Sequence, residues 1–598
     1  MPKAMGFGAV LIKQNDLVLF EEQAKLARDN GFTHMDIAAL HDRARYQVVD
    51  DPTDPWLQWN LSNPSFFKIL PPDELKDFVP ADVAKRDLDL LLARASILEK
   101  LGMHGTFTTW DPTWMPESFF QKRPEWRGPR VDHARRSKAK RFAPCMDHPE
   151  VLALYRSTVK QLLTLAPCID GIHISTNDSG CGMCWSSYLY NSPNGPEACK
   201  HIGIGERVST FLYNLKLGAE DAGVDATVSL ASQLSRTEAD AILACLKPGT
   251  RLVDWNGTVK ATEAPTERSA GASAIPMYMP LVSPLPTHAS LADGLRGFPG
   301  AQYVSIGADP RSPYFKDFIE MAGEAVKRDS LTLPERNALL LSFAERRVGT
   351  ELGPKLYEAM ELLGRSLPLL NNPEDGGTIF DLGLLMQRWV TRPFVPFPLE
   401  LTDEEKSHYR PFLFQAKDEV CAADMLNMQD TYLIDSRVGA RQFEYNWQKP
   451  MRGIKQAQNI FDELAEKVPG DEGALCRRVA YALRAMLCLC QCAINCAHFQ
   501  TWMYDFREPE GGVKEEYIDM GNYDRMCVYN FYRAEIDNMY ALLKIMKEYP
   551  DIIDMAERED QEDTFTFSPK LAEQIQKKID IMFAHWQDFD RIFPRPNY

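Results

Sequence analysis

The sequence predicts an α/β protein, a (β/α)8 TIM barrel over residues 1–330 followed by an α-helical bundle domain over residues 331–598. Three observations predict it. Eight short apolar runs punctuate the first 330 residues, at 5–12, 32–38, 105–109, 169–175, 226–230, 251–255, 274–279 and 302–306. Amphipathic stretches such as 19–29, 84–101 and 149–165 lie between several of them. After residue 330 the alternation stops and long helical periodicity takes over. Eight strand-helix units in this length give a closed parallel barrel, with an open doubly wound sheet as the alternative. No glycine-rich phosphate fingerprint follows the first strand, which speaks against a dinucleotide fold. In the second half, helices are expected at 333–370, 401–428, 440–468, 472–507, 523–548 and 568–589, with a Pro- and Gly-rich loop at 371–398.

Composition bounds the partners. The chain carries 598 residues, 45% hydrophobic and 25% charged, with a net charge of −17. That is a globular composition. The acidic balance argues against nucleic acid, which needs a basic face. No apolar run approaches a membrane span, so no membrane partner is expected. The first residues lack a signal-peptide pattern, and 13 scattered cysteines fit reduced thiols, so the expected location is cytoplasmic, with a trimmed secreted form as the alternative. A homo-oligomer is compatible with these numbers.

The richest segment is 169–201, IDGIHISTNDSGCGMCWSSYLYNSPNGPEACKH. An apolar strand breaks into Thr176, Asn177 and Asp178, and then into a long polar, aromatic, Cys-rich loop. In a parallel α/β protein, strand C-terminal ends and their loops carry the chemistry. Other acids fall at predicted strand ends: Asp36 with His41 and Asp42 beyond it, Asp111 in the run TWDPTW, Asp254 beside Trp255 and Asn256, and Asp309. Carboxylates with Trp110, Trp114, Trp185 and Trp255 on one rim suit a sugar, whose apolar faces stack on indoles while paired acids move protons. The competing role for each Asp is to cap the following helix. His173, inside strand four, reads as a core histidine or a lining group.

Cys181, Cys184, Cys199 and His201 put four soft donors in one loop. They make a structural zinc site one reading, although Cys-x-His is tighter than the usual knuckle. The plainer reading is thiols bracing the loop. No cofactor is otherwise required. Cys488, Cys490, Cys492 and Cys496 sit in an apolar helix, where 488, 492 and 496 share a face and read as core packing. Segment 122–141 holds nine Lys and Arg against Glu125 and Asp132. It reads as an anion-attracting lip or as a solvated loop pairing with the acidic body. Arg388 and Arg392 are further candidates to approach the site.

Residues 119–128 (FFQKRPEWRG), 141–151 (RFAPCMDHPEV) and the Asn177-Asp178-Ser179-Gly180 element with its Cys-rich loop resemble a module of bacterial glycoside hydrolase-like barrels of the β-N-acetylhexosaminidase superfamily, including family 20 and the α-glucuronidases. The resemblance covers about residues 100–210. It implies attack on a terminal, acidic or N-acetylated sugar of a carbohydrate substrate. Family 20 enzymes carry Asp-Glu after strand four, whereas this chain has Asn177-Asp178. The resulting expectation is an exo-acting glycoside hydrolase. Asp178 and Asp254 would be its working carboxylates, with Asp111 in reserve. Asn177, Trp110, Trp185, Trp255, His41, His173 and Arg388 would bind substrate. The alternatives are a metal-dependent sugar isomerase or epimerase and a non-catalytic glycan-binding relative.

Overall fold

The computed structural model describes residues 4–8, 16–40, 46–47, 64–132, 137, 139–253, 259–261, 269–274, 281–309, 311–371, 383–409, 436–506, 522–556 and 567–592. The chain divides into two compact units. One comprises residues 1–52, 56–274 and 291–339, and the other comprises 53–55, 275–290 and 340–598.

The first unit is built on a nine-stranded sheet. Its strands are β1 (Ala4–Gly8), β2 (His34–Asp36), β3 (His104–Trp110), β6 (Ile169–Thr176), β7 (Thr227–Ser232), β8 (Thr250–Val253), β9 (Val259–Ala261), β10 (Ser269–Ser273) and β11 (Tyr303–Gly307). β4 (Arg127–Arg130) and β5 (Phe142–Pro144) form a separate antiparallel hairpin. The sheet order is β10-β11-β1-β2-β3-β6-β7-β8-β9. Every pairing is parallel except β8 with β9. The eight parallel strands therefore follow one another in the cyclic order of a (β/α)8 barrel, opened between the sixth (β8) and seventh (β10) among the described ladders.

Tyr303 on β11 has its hydroxyl pushed up to about 12, first by burial and then by Asp36 and Asp170, with Arg251 on β8 opposing.

Helices α1 (Leu17–Asp29), α2 (Ala81–Leu101), α3 (Pro149–Leu165), α4 (Ile204–Asp221), α5 (Arg236–Leu243) and α6 (Phe315–Val326) connect the strands. Their ends follow local chemistry. Asp16 caps α1, Gly102 closes α2 in a left-handed conformation, Pro149 opens α3, and Ser235 with Glu238 forms a capping box on α5. Phe107, Ile172, Ile174, Val228, Leu230 and Val304 are fully buried in the core. Each contributes about 1.5–3 kcal/mol by leaving water.

The seventh strand, expected at 274–279, lies instead at Ser269–Ser273, with 275–280 outside the described residues. Its sequence is SAGAS, weak in strand propensity. Small residues are required there because the following helix, His288–Leu295, packs close. A Cβ on Gly294 would stand 2.8 Å from the Ala272 Cβ.

After α7 (Leu333–Ser366), kinked at Gly349, the second unit holds α8 (Gly383–Thr391), α9 (Arg437–Lys467), α10 (Gly470–Phe506), α11 (Asn522–Glu548) and α12 (Leu571–Ala584). The expected loop at 371–398 contains α8, in which Met386, Trp389 and Val390 are buried at helical spacing. Of the helix expected at 401–428, Asp403–Tyr409 is helical, and 410–435 lies outside the described residues. Phe443, Trp447, Ile454, Phe461 and Leu464 make one buried stripe along α9.

The expectation that no apolar run reaches membrane length needs correction. Gly470–Met503 is long and apolar enough by composition, but 72% of its apolar window is buried inside the protein. That is how the central helix of a bundle behaves. Its cysteines are core groups: Cys490, Cys492 and Cys496 are buried. Cys492 and Asn495 each donate to Glu535, at 2.9 Å in both cases, and Glu535 is ion-paired with the fully buried Lys578.

This buried pair generates a prediction. Glu535→Ala leaves the Lys578 ammonium in the interior without its counter-charge, and urea unfolding should show a loss of about 3–5 kcal/mol. The Glu535→Leu/Lys578→Met double variant should recover most of it. A single variant as stable as the wild type would contradict the assignment.

Candidate active site

The strand-four exit is built around Asn177. β6 pairs in parallel with β3 and β7, with Trp110 opposite Ser175 and Thr176 opposite Ser232 at its C-terminal end. The chain then turns at Asn177, whose φ of 62° lies in the left-handed region that Asn tolerates. Its side chain is fully buried. Nδ2 donates to Ser186 Oγ at 2.9 Å and to the Gln233 carbonyl at 3.2 Å, while Oδ1 accepts from the Met183 amide at 3.1 Å. The expectation that Asn177 contacts a sugar is corrected: all of its polar atoms hold the loop, which leaves none for a ligand.

Asp178 follows and faces outward, half-buried. Its Oδ1 accepts from the Ser179 amide at 2.7 Å and from the Tyr190 hydroxyl at 2.9 Å. The neighbouring backbone is stitched on both sides. Trp114 N donates to Gly180 O, Gly180 N to Val131 O, and Gly182 N to Pro112 O, at 2.8, 2.9 and 3.1 Å. These bonds join the loops after β3 and β6 to the hairpin. Gly180, at φ 87°, makes the turn possible.

Other predicted acids have structural duties. Asp111 is fully buried and accepts from Ser65 Oγ (3.0 Å), the Phe66 amide (3.1 Å), Tyr155 OH (3.0 Å) and Thr109 Oγ1. Burial raises its pKa, and those donors partly oppose the rise. It anchors residues 64–66 to the end of β3 and has no face for substrate, which removes it as reserve carboxylate. Asp36 is likewise held by the Ala38 amide, Thr106 and Thr108. Asp309 is paired with Arg311. Asp254, Trp255 and His41 lie outside the described residues, as does the side chain of Arg388, whose backbone belongs to α8.

Of the tryptophans, Trp110 sits half-buried at the rim end of β3. Trp114 is buried against Tyr46 and beneath Arg141. Trp185 donates from Nε1 to Pro196 O at 3.1 Å and lies under Lys200. It braces the loop rather than walling an open site. Glu238, from the α5 capping box, accepts from Ser187 N at 2.6 Å and from Ser187 Oγ at 2.5 Å, tying the same loop to the exit of β7.

The cysteines regroup. Cys181 is buried near the Ser175 and Asp178 carbonyls, and His201 is exposed. Neither joins Cys184 and Cys199. Cys145 and Asp147, from the segment after β5, do so instead: one donor atom from each of the four residues lies within 4.8 Å of every other. Both belong to the RFAPCMDHPEV element, but their proximity to the loop is set by the hairpin and is not visible in sequence spacing.

In the basic segment, Lys122, Arg123, Arg127 and Arg130 pair with Asp77, Glu125, Glu117 and Asp132. These four pair with acids inside and outside the segment, in line with the reading of a loop that pairs with the acidic body. Arg127, Arg130 and Phe142 line a groove of about 520 Å³ with Asn191, Asn194 and Pro196 of the Cys-rich loop.

His173 lies below the rim, its Nδ1 against Ser229 Oγ in the register-matched position on β7. Burial, then His34 and Arg251, lower its pKa to about 4. His34 and His104 flank Asp170 at 3.0 and 2.9 Å, at the N-terminal ends of their strands and away from the rim.

No family model matches the chain, and no curated protein matches it. Among solved structures, a GH138 enzyme targeting pectin rhamnogalacturonan II aligns with 100% of this chain and 69% of its own, at 10% identity and a TM-score of 0.54. A family 89 glycoside hydrolase from Clostridium perfringens aligns with 100% of this chain and 65% of its own, at 8% identity and a TM-score of 0.40. A GH20 catalytic module of the pneumococcal exo-β-D-N-acetylglucosaminidase StrH aligns with 62% of this chain and 98% of its own, at 9% identity and a TM-score of 0.31. The GH138 likeness establishes the class: an α/β, glycoside-hydrolase-like fold with a helical C-terminal region. It does not single out the family 20 and α-glucuronidase branch.

His173 yields a pH prediction. The unfolded chain takes up its proton near pH 6.5 and the folded chain near 4. Its stability contribution is therefore complete above 6.5 and lost as pH falls toward 4, at up to about 1.4 kcal/mol per pH unit. In denaturant titrations from pH 7 to 4, His173→Gln should flatten this slope, and an unchanged slope would contradict the assignment.

Proposed function

We propose that this protein is an exo-acting glycoside hydrolase working at the C-terminal rim of its eight parallel strands, which close into a (β/α)8 barrel by bringing β8 to β10. Asp178 carries the proposal. Among the described rim acids, Asp36 and Asp111 are buried and Asp309 is ion-paired with Arg311, whereas Asp178, hydrogen-bonded to Tyr190 and the Ser179 amide, is partly exposed at the end of the fourth strand. Tyr190 and the Ser179 amide orient its carboxylate, and an oriented carboxylate at a strand end suits proton transfer. Asp254, after the sixth strand, is the proposed partner carboxylate, and Trp110 is the proposed stacking face. A separation near 5 Å between the two carboxylates would mean retention of configuration, and about 6.5–9.5 Å inversion. The GH138 neighbour makes pectic oligosaccharides the first substrates to try. Terminal uronic acids and N-acetylhexosamines come next.

The glycan-binding alternative draws on the same observation, since one partly exposed carboxylate is enough to bind a sugar. A metal-dependent isomerase needs His and carboxylates gathered on the rim. The His34, His104 and Asp170 cluster lies at the opposite strand ends.

On whichever glycoside the wild type cleaves, Asp178→Asn should lower kcat by about 10²–10⁴-fold with the circular dichroism spectrum unchanged. A folded variant with full activity would remove Asp178 from the chemistry. Tight sugar binding by the wild type without turnover would favour the binding role.

A further inference from the structure

We propose that Cys145, Asp147, Cys184 and Cys199 form a structural zinc site that fastens the Cys-rich loop after β6 to the segment after β5. The donor set is three thiols and a carboxylate from two chain segments, and the donor atoms all lie within 4.8 Å of one another. Cys145 and Cys184 are 3.8 Å apart, sulfur to sulfur. A tetrahedral zinc with Zn–S bonds of about 2.3 Å has an S···S edge of about 3.8 Å. A disulfide would need about 2.05 Å.

Burial and charge point the same way. The three cysteines are 4%, 0% and 2% exposed, and the Trp185 ring packs over them. Asp147 is brought among the thiols, beside the Cys199 sulfur and Arg207, and its buried Oδ2 meets neither at full hydrogen-bond geometry. Arg207 Nη1 stands 3.7 Å from that oxygen, too far to donate, because it bonds the Cys184 carbonyl at 2.6 Å while Nε bonds Ile202 O at 2.9 Å. A divalent cation would bring a closer positive charge to a carboxylate whose only described cation is Arg207, at 3.7 Å. Arg207 then balances part of the surplus negative charge of a Cys3Asp set.

The ligands sit on fixed backbone. The Cys145 amide donates to Trp126 O at 2.7 Å, and the Ile202 amide closes the turn on Cys199 O at 3.2 Å. Binding replaces three S–H bonds by three Zn–S bonds and releases three protons, with Asp147 entering already ionised. The thiols are reduced before and after, so no oxidant is involved. The site differs from the set expected from spacing alone: Cys181 and His201 are excluded from it.

The test is elemental analysis of the full chain, purified under reducing conditions without chelator. About one zinc per chain is expected, falling at least about fivefold in Cys145→Ser and in Cys199→Ser. Cys181→Ser and His201→Ala should retain it. Because a ligand variant can fail to fold, the wild type loaded with cobalt(II) gives a second readout: thiolate-to-metal charge-transfer bands with tetrahedral visible bands. Zinc-free wild type after incubation with zinc, or an absence of thiolate bands, would each overturn the proposal.

Discussion

The Asn177 side chain is the contact on which the proposed site depends. A parallel sheet delivers every strand's C-terminal end to one rim, but it does not say where the chain goes next. Here the chain leaves β6 through a left-handed residue whose amide group bonds Ser186, Met183 and the Gln233 carbonyl. Those bonds fold the loop back over the exits of β6 and β7 and leave the next side chain, Asp178, facing outward. An aspartate in place of Asn177 would lose the two Nδ2 donations and put a charge in a fully buried position. The loop, and with it the direction of Asp178, would be expected to change.

Further contacts secure the same loop from different sides. Glu238 grips Ser187 from the capping box of α5. Backbone bonds through Gly180 and Gly182 join it to the loop after β3 and to the hairpin. The Cys145, Cys184 and Cys199 cluster, under Trp185, holds its far end. The loop is long and has little regular secondary structure. Its order comes from these side-chain anchors, as functional loops on rigid scaffolds commonly require.

Much of the architecture is legible in the sequence because it rests on periodicity. Seven of the eight expected strands overlap observed ones, since runs such as Ile169 to Ser175 combine β-branched residues with a clear polar end. The seventh is displaced because close helix packing selects Ser, Ala and Gly there, which look like a turn. Local spacing also misleads at the cysteines. Cys181 and Cys184 are three apart, but the tight turn at Gly180 points Cys181 toward the strand, and a residue 39 positions away takes its place beside Cys184. Asp111 looks like a rim acid from its position after β3. Only the three-dimensional arrangement brings Ser65, Phe66 and Tyr155 onto it. Asn177 reads as a substrate contact because sequence shows a polar side chain and not the donors and acceptors it meets.

The central claim is that a sugar binds at the rim beside Asp178. It is tested most directly by a crystal structure of the Asp178→Asn variant soaked with the oligosaccharide that the wild type binds or cleaves most readily. A terminal sugar is expected within hydrogen-bond distance of residue 178, with its glycosidic oxygen facing that side chain and its ring against Trp110. A sugar bound elsewhere on the chain, with the strand-four rim filled by protein side chains, would contradict the claim.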